Sequence, residues 1–254
     1  MTVLATVLAL AVTASGLAAP AAADYVALGS SFAAGPGITP TQPGSPPACG
    51  RSARNYASQA AAKLRLTLTD ATCSGATTAD VLNNQVNAVT ENTKLVTITI
   101  GGNDVNYIGS LFAYSCQTSG GSQCGTVDQA AIDRALTTVH TKIGNVVTAV
   151  RQKAPRAKVL LVNYLTVVSR TACTGVPLTQ AQVDFERSVA QRLAAATRRA
   201  GAPVVDAAGA SAAHDACSAS PWMEKYQPGG GRAGYHPNLA GMTAVAELVV
   251  RQAR

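Results

Sequence analysis

The chain has 254 residues and a formal net charge of +7, and 47% of its residues are hydrophobic although it has only three Phe and one Trp. This length suits one α/β domain, and the composition predicts a core of Ala, Val and Leu. The positive residues are neither clustered nor interleaved with aromatic residues, which argues against nucleic-acid binding. A basic exported protein is instead expected to adsorb to anionic surfaces such as lipid headgroups or cell-wall polymers.

Residues 1–23 have the pattern of a secretory signal peptide. An apolar run at 4–12 is followed by Ala21-Ala22-Ala23, a small-residue cleavage pattern before Asp24. One departure is that the first three residues carry no Lys or Arg. The run is too short to span a bilayer, and no later run reaches that length. We therefore expect residues 24–254 to form a single, secreted, extracellular domain.

Strand and helix patterns alternate about five times along this domain. Strands are predicted at 25–28, 64–69, 95–100, 158–164 and 203–206. Helices are predicted at 55–63, from Thr77 or Thr78 to near 84, and at 128–153, 180–200 and 238–254. Residues 105–127 and 209–235 are expected to be long connections. Such alternation predicts a three-layer α/β/α sandwich with a central parallel sheet of about five strands.

Six cysteines follow the predicted signal peptide, an even number that indicates disulfides in an exported chain. None has CxxC spacing, so zinc and thioredoxin-like sites are disfavoured. Six cysteines allow many pairings. We favour the sequential one, because it closes loops between predicted elements: Cys49–Cys73, Cys116–Cys124 and Cys173–Cys217.

Small and polar residues follow three of the predicted strands or lie in the adjoining loops. Ser30 and Ser31 follow the first strand, Gly75 lies in a polar loop after the second, and Gly102-Asn103-Asp104 follows the third. Ligands bind at this carboxyl edge in open α/β sheets. Taken alone, the two serines favour a structural interpretation, in which a strand ends and a serine caps the next helix, over a catalytic nucleophile.

A serine nucleophile requires a base, and histidine is the usual one. His140 falls inside a predicted helix and His214 in the loop that carries Cys217, so structural roles are favoured for both. His236 lies just before the last helix, with Pro237 setting the turn. It is the histidine best placed to reach the sheet edge.

Four short motifs occur in order along the chain: GSSF at 29–32, Gly75, GGND at 101–104 and HPN at 236–238. Together they resemble the SGNH hydrolases (GDSL-type lipases and esterases), over essentially the whole of residues 25–254. The cysteines and the exported character further resemble secreted actinobacterial lipases and esterases of that family. The resemblance implies a flavodoxin-like α/β/α fold and an ester hydrolase. Because the sequence shows no cluster of ligand residues, we expect no metal or organic cofactor, and we expect a monomer.

The resemblance also implies roles for individual residues. Ser31 would be the nucleophile and His236 the general base. The oxyanion hole would combine the backbone N–H groups of Ser31 and Gly75 with the side-chain amide of Asn103. Ser30 stands where the family usually has Asp, and Asp104 is expected to hold its loop through backbone hydrogen bonds.

The position three residues before His236, where the family usually has the Asp that orients the imidazole, is Ala233. We expect a backbone carbonyl, most simply that of Ala233, to accept the Nδ1–H of His236. The alternative is a carboxylate from elsewhere in the chain, Asp215 or Asp206.

The leading hypothesis is a secreted lipase or esterase that cleaves carboxylic esters, including lipid acyl esters, through an acyl-enzyme. Carbohydrate acetylesterase, phospholipase and thioesterase activities remain alternatives, because the family includes all three. A rival of another class is a catalytically inactive, disulfide-stabilised binding protein of the cell envelope.

Overall fold

Five parallel strands form one sheet in the order β2-β1-β3-β4-β5. They are β1 Tyr25–Gly29, β2 Leu68–Asp70, β3 Leu95–Thr99, β4 Lys158–Val162 and β5 Val204–Val205. The computed structural model describes residues 23–229 and 233–254, so the predicted signal peptide lies, except for Ala23, outside the described residues. The sheet confirms the predicted architecture, and its strand order is the flavodoxin-like one.

Eight α-helices accompany the sheet in the described ranges. They are α1 Ser31–Ala34, α2 Tyr56–Leu64, α3 Thr78–Asn83, α4 Tyr107–Thr118, α5 Gln129–Lys153, α6 Gln180–Arg198, α7 Ala207–Ala210 and α8 Leu239–Ala253. Helices α2 and α8 pack together, and α5 packs against α3 and α6. From β1 to β2 the chain moves toward one edge of the sheet, and from β2 onward it moves toward the other edge. Because crossovers between parallel strands are right-handed, the pair α2 and α8 and the group α3, α5 and α6 lie on opposite faces of the sheet.

Side-chain caps explain where α2, α3, α5, α6 and α8 begin. An oxygen of the cap residue accepts the backbone N–H three residues further on, which satisfies a group that the helix leaves unpaired. These caps are Asn55, Thr77, Asp128, Thr179 and Asn238. Of Thr77 and Thr78, the two threonines predicted as possible starts of this helix, Thr77 is the cap of α3.

The start of one predicted strand and the absence of a helix from one predicted connection are wrong. The second strand starts at Leu68 rather than 64, because α2 continues to Leu64 and ends at Arg65 in the left-handed conformation (φ 56°). The segment 105–127, expected to be a connection, contains helix α4. Two serines of this helix, Ser110 and Ser115, are buried and hydrogen-bonded, to the Tyr107 carbonyl and the Tyr235 hydroxyl.

The core combines aliphatic side chains with more aromatic rings than the composition suggested. The buried face of α5 is aliphatic, with Val139, Ile143 and Val146 fully buried. Four tyrosines are also buried to less than 2% exposure: Tyr25, Tyr56, Tyr107 and Tyr235.

The disulfides have the sequential pairing: Cys49–Cys73, Cys116–Cys124 and Cys173–Cys217. The first joins the loop after α1 to the loop after β2. Within the described residues, no helix combines the length and apolarity needed to cross a bilayer.

Candidate active site

A cleft of about 390 Å³ lies at the carboxyl edge of the sheet. Helices α1 and α4, a short helical turn at Asn103–Val105 and the loops after α1, after β2 and before α8 contribute to it. This is the placement expected beside the switch point between β1 and β3. Its lining includes Ser31 after β1, Gly75 after β2, Asn103 after β3 and His236 before α8. The structure therefore brings the four predicted residues to one cleft.

Ser31 and His236 are in direct contact. The Ser31 Oγ lies 2.8 Å from the His236 Nε2, and Ser31 is only 9% exposed. Burial holds the pKa of His236 below its ordinary value, and a backbone hydrogen bond partly opposes that shift. A neutral imidazole can accept the serine proton, as a general base must.

The expected partner of the His236 Nδ1 is wrong by one residue. The carbonyl oxygen of Gly234, not that of Ala233, accepts from Nδ1 at 2.8 Å. The Ala233 carbonyl instead accepts the backbone N–H of His236 at 3.2 Å, because residues 233–236 form a tight turn. The turn thus directs the carbonyl of Gly234, rather than that of Ala233, at the imidazole.

The two carboxylates proposed as alternatives are engaged elsewhere. Asp215 accepts the backbone N–H of Cys217 at 2.8 Å. Asp206 accepts the side-chain amide of Asn163 at 2.7 Å and caps α7. Neither contacts His236, so a backbone carbonyl takes the place of the carboxylate.

Tyr235 holds the histidine turn in shape. It has φ 57°, a left-handed conformation that is unfavourable for a bulky side chain. Its side chain is fully buried, and its hydroxyl lies 2.6 Å from Ser115 Oγ on α4. Its ring centroid lies 5.6 Å from that of Phe112. These contacts compensate for the backbone strain beside a functional residue.

Three groups suited to an oxyanion hole face the cleft. Among the described residues, the backbone N–H groups of Ser31 and Gly75 have no hydrogen-bond partner in the chain. The Asn103 Nδ2 donates one hydrogen to the Ala76 carbonyl at 2.8 Å, and its second hydrogen is free to donate. Fixed donors of this kind stabilise negative charge that develops on a carbonyl oxygen.

Gln85 is a supporting residue that the sequence did not indicate. Its side-chain amide accepts the Gly29 N–H at 2.7 Å and donates to the Gly29 carbonyl at 3.0 Å. It therefore fixes the end of β1 two residues before Ser31. No sequence motif marks it, because it acts from a separate short helical turn at Gln85–Ala88.

The other two histidines lie outside the cleft, as expected. His140 is on α5. His214 stacks on Trp222 with ring centroids 4.1 Å apart and donates a hydrogen bond from Nδ1 to the Ser220 carbonyl at 2.8 Å. Across residues 23–229 and 233–254, no cluster of His, Cys, Asp and Glu side chains could hold a metal ion.

The fold and the paired serine and histidine are those of an α/β/α serine hydrolase. Residues 27–244 match the GDSL-like Lipase/Acylhydrolase family. The chain is 35% identical to Lipase 2 of Streptomyces coelicolor, over 96% of this chain and 93% of that protein. This chain therefore belongs to the GDSL-like lipase/acylhydrolase family and is a carboxylic ester hydrolase.

Two solved structures are also similar. The phospholipase A1 from Streptomyces albidoflavus NA297 is 28% identical, with a TM-score of 0.75 over 92% of this chain and 99% of that one. The extracellular lipase from Streptomyces rimosus is 29% identical, with a TM-score of 0.75 over 91% and 99% of the two chains.

Proposed function

We propose that this chain is a secreted lipase or esterase that cleaves lipid acyl esters through an acyl-enzyme on Ser31, with His236 as the general base. The observation that carries the proposal is the 2.8 Å contact between Ser31 Oγ and His236 Nε2. That distance is within the range for proton transfer between a nucleophile and its base.

In the acylation step the Ser31 Oγ attacks the ester carbonyl carbon while His236 Nε2 takes the hydroxyl proton. The Gly234 carbonyl accepts the Nδ1–H, which fixes the ring and stabilises the imidazolium. The tetrahedral intermediate then breaks its bond to the alcohol oxygen. His236 returns the proton to that oxygen, and the alcohol leaves.

Deacylation repeats this sequence with water. His236 takes a proton from the water, whose oxygen attacks the acyl carbon. The second tetrahedral intermediate releases the Ser31 oxygen, which regains its proton from His236. In both halves, the N–H groups of Ser31 and Gly75 and the Asn103 amide would stabilise the oxyanion.

The surroundings of the cleft support a lipid acyl chain. At Gly109 and Phe112 the cleft continues into a groove of about 880 Å³ between α4 and the segment 226–228. Apolar side chains of the groove include Phe112, Pro177 and Tyr226. An acetyl group would leave this apolar surface unused, whereas a longer acyl chain would cover it.

Sequence features outside the cleft support the location. Residues 1–23 would direct export and residues 24–254 would form one extracellular, monomeric domain, stabilised by three disulfides. The charge of +7 would promote adsorption to anionic lipid or cell-wall surfaces.

Kinetics with p-nitrophenyl esters from acetate to palmitate, with Ser31→Ala as the control, test this proposal. We expect kcat/KM to rise with acyl length beyond acetate and activity to be lost in Ser31→Ala. A preference for acetate would favour an acetylesterase. Absence of hydrolysis by the oxidised protein would favour an inactive binding protein.

Parallel assays with glycerolipids, phospholipids and acyl thioesters would separate the remaining alternatives. A lipase or esterase is expected to be fastest on glycerolipid or simple esters. A clear preference for phospholipids or thioesters would identify a phospholipase or a thioesterase and correct the substrate assignment.

A further inference from the structure

Tyr164 lies at the carboxyl edge of the sheet, just after β4, and contacts two of the loops that form the active site. Its hydroxyl oxygen accepts the backbone N–H of Gly102 at 2.9 Å. The same hydroxyl lies 3.1 Å from the Ser30 Oγ. Ser30 and Gly102 each directly precede a proposed oxyanion-hole residue, Ser31 and Asn103.

The chemistry of the hydroxyl suits a bridge between these loops. A tyrosine hydroxyl has one hydrogen to donate and can accept another. Because it accepts from Gly102, its own hydrogen is available for Ser30. Burial raises the pKa of Tyr164 to about 12, so the hydroxyl keeps that hydrogen through the neutral range.

Packing fixes the ring as well as the hydroxyl. A Cβ at position 102 would lie 2.6 Å from the Cζ of Tyr164, so the ring can approach this closely only because residue 102 is glycine. The ring centroid is 4.7 Å from that of Phe32, which in turn lies 5.3 Å from the imidazole of His236. Tyr164 is only 7% exposed.

We propose that Tyr164 is a positioning residue that ties the Ser31 turn to the Asn103 loop and so sets the geometry of the oxyanion hole. This inference rests on the proposed roles of Ser31 and Asn103. Ser30 is the partner on the nucleophile side, which gives its buried hydroxyl a function. Tyr164 touches no reacting atom and acts through Ser30 and Gly102.

Replacement of Tyr164 by Phe tests the bridge because it removes the hydroxyl and keeps the ring. We expect kcat for a p-nitrophenyl ester to fall about 10- to 100-fold, as small displacements of catalytic groups do, with KM changed less than about twofold. The rate at which a fluorophosphonate inactivates Ser31 should fall in parallel, because that reaction uses the same donors.

Tyr25→Phe is the matched control. Tyr25 is also fully buried, and its hydroxyl lies 2.8 Å from Thr97 Oγ1, but it stands at the opposite end of β1 from Ser31. The Tyr25→Phe variant should have a lower melting temperature but should not show the decrease in kcat that is expected of Tyr164→Phe. If Tyr164→Phe changes kcat no more than Tyr25→Phe does, Tyr164 has only a structural role and the inference is wrong.

Ser30→Ala tests the other end of the bridge and carries the test if Tyr164→Phe does not fold. It should lower kcat about tenfold on its own, and the double variant should be no slower than Tyr164→Phe alone, because both changes break one connection. Wild-type kcat in Ser30→Ala, or fully multiplicative losses in the double variant, would overturn the inference.

Failure of the inference is distinguishable from failure of the proposed function. If Ser31→Ala abolishes activity while Tyr164→Phe and Ser30→Ala retain it, only the role of Tyr164 is wrong. If Ser31→Ala retains activity, the proposed nucleophile itself is wrong.

Discussion

The carboxylate of Asp104 accepts two hydrogen bonds from Thr78, one from its backbone N–H at 2.9 Å and one from its hydroxyl at 2.6 Å. Asp104 follows Asn103, and Thr78 begins the helix that follows the Gly75 loop. The pair therefore ties together two loops that supply proposed oxyanion-hole donors. The hydrogen bond from Asn103 to the Ala76 carbonyl reinforces the same junction.

We predict that Asp104→Asn lowers kcat/KM about 10- to 100-fold. The two hydrogen bonds use both carboxylate oxygens, whereas an amide has one acceptor oxygen, so one bond is lost and the two loops separate. Asp80→Asn is the control, since Asp80 accepts the same pair of groups from Thr77 but caps its own helix. Equal losses in steady-state assays of the two variants would indicate helix capping alone and contradict the prediction.

The carbonyl of Gly234 can be displaced without removing any side chain. A Cβ at position 234 would lie 2.8 Å from the backbone nitrogen of Gln227 and 3.1 Å from the carbonyl oxygen of Lys225, so the turn must shift. We predict that Gly234→Ala lowers kcat/KM at least about tenfold, because the His236 ring loses its orientation.

Gly229→Ala is the matched control for that change, because a Cβ there would meet no atom of residues 23–229 and 233–254 within 4 Å. It should retain activity in the same ester assay. Asp215→Ala should also retain kcat, since that carboxylate contacts the Cys217 N–H. If Asp215→Ala lowers kcat while Gly234→Ala keeps full activity, a carboxylate rather than the Gly234 carbonyl orients the His236 ring.

The one-residue difference between Ala233 and Gly234 shows where sequence reasoning reached its limit. The motif located His236, and the missing Asp indicated a backbone acceptor. Which carbonyl faces the ring depends on the left-handed φ of Tyr235 and on its buried contact with Ser115. These are tertiary contacts between residues far apart in the chain, and no local pattern encodes them.

The fold was more predictable than the supporting residues. Buried strands and helix caps are local signals, so four of the five strands lie within about two residues of their predicted ends. Helix α4 was not predicted, and no capping signal marks its start, since Asn106 makes no side-chain capping hydrogen bond. Gln85 and Tyr164 carry no motif, since each acts through backbone groups of another segment.

The pH dependence of activity follows from His236. Burial, the larger effect, lowers its pKa, and the hydrogen bond to Gly234 partly offsets this. The neutral ring is the active base, and the inactive imidazolium becomes the major form only at a pH below the ordinary histidine pKa of 6.5.

We therefore expect the acid limb in a plot of kcat/KM against pH to have its midpoint below pH 6.5. Samples returned to pH 7 and assayed again would separate this titration from irreversible inactivation. An acid limb centred at or above pH 6.5 would show that His236 is not held in its neutral form by burial.

Glu186 governs a separate dependence, that of stability on pH. Its side chain lies on α6 and is fully buried near the Ser110 hydroxyl. That hydroxyl donates to the Tyr107 carbonyl instead, so neither carboxylate oxygen has a hydrogen-bond partner of good geometry among the described residues. Burial raises the pKa of Glu186 from 4.5 to about 8. The folded protein thus binds this proton more tightly than the unfolded chain does.

Its contribution to stability is fully present below the unfolded pKa and is lost as pH rises through the folded value. The free energy of unfolding should therefore decline between pH 4.5 and about 8, by on the order of a few kcal/mol. Glu186→Gln should remove this decline and be the more stable protein at pH 9. Urea unfolding at several pH values tests this, with the exposed Asp184→Asn as the control. An unchanged slope in Glu186→Gln would contradict the assignment.

The central claim, that Ser31 is the nucleophile and His236 its base, is tested most directly by the site of labelling with a fluorophosphonate. Mass spectrometry of the oxidised protein should locate one adduct on Ser31, formed at least about a hundredfold more slowly in His236→Ala. An adduct on another residue, or equally fast labelling of Ser31 without His236, would contradict the account.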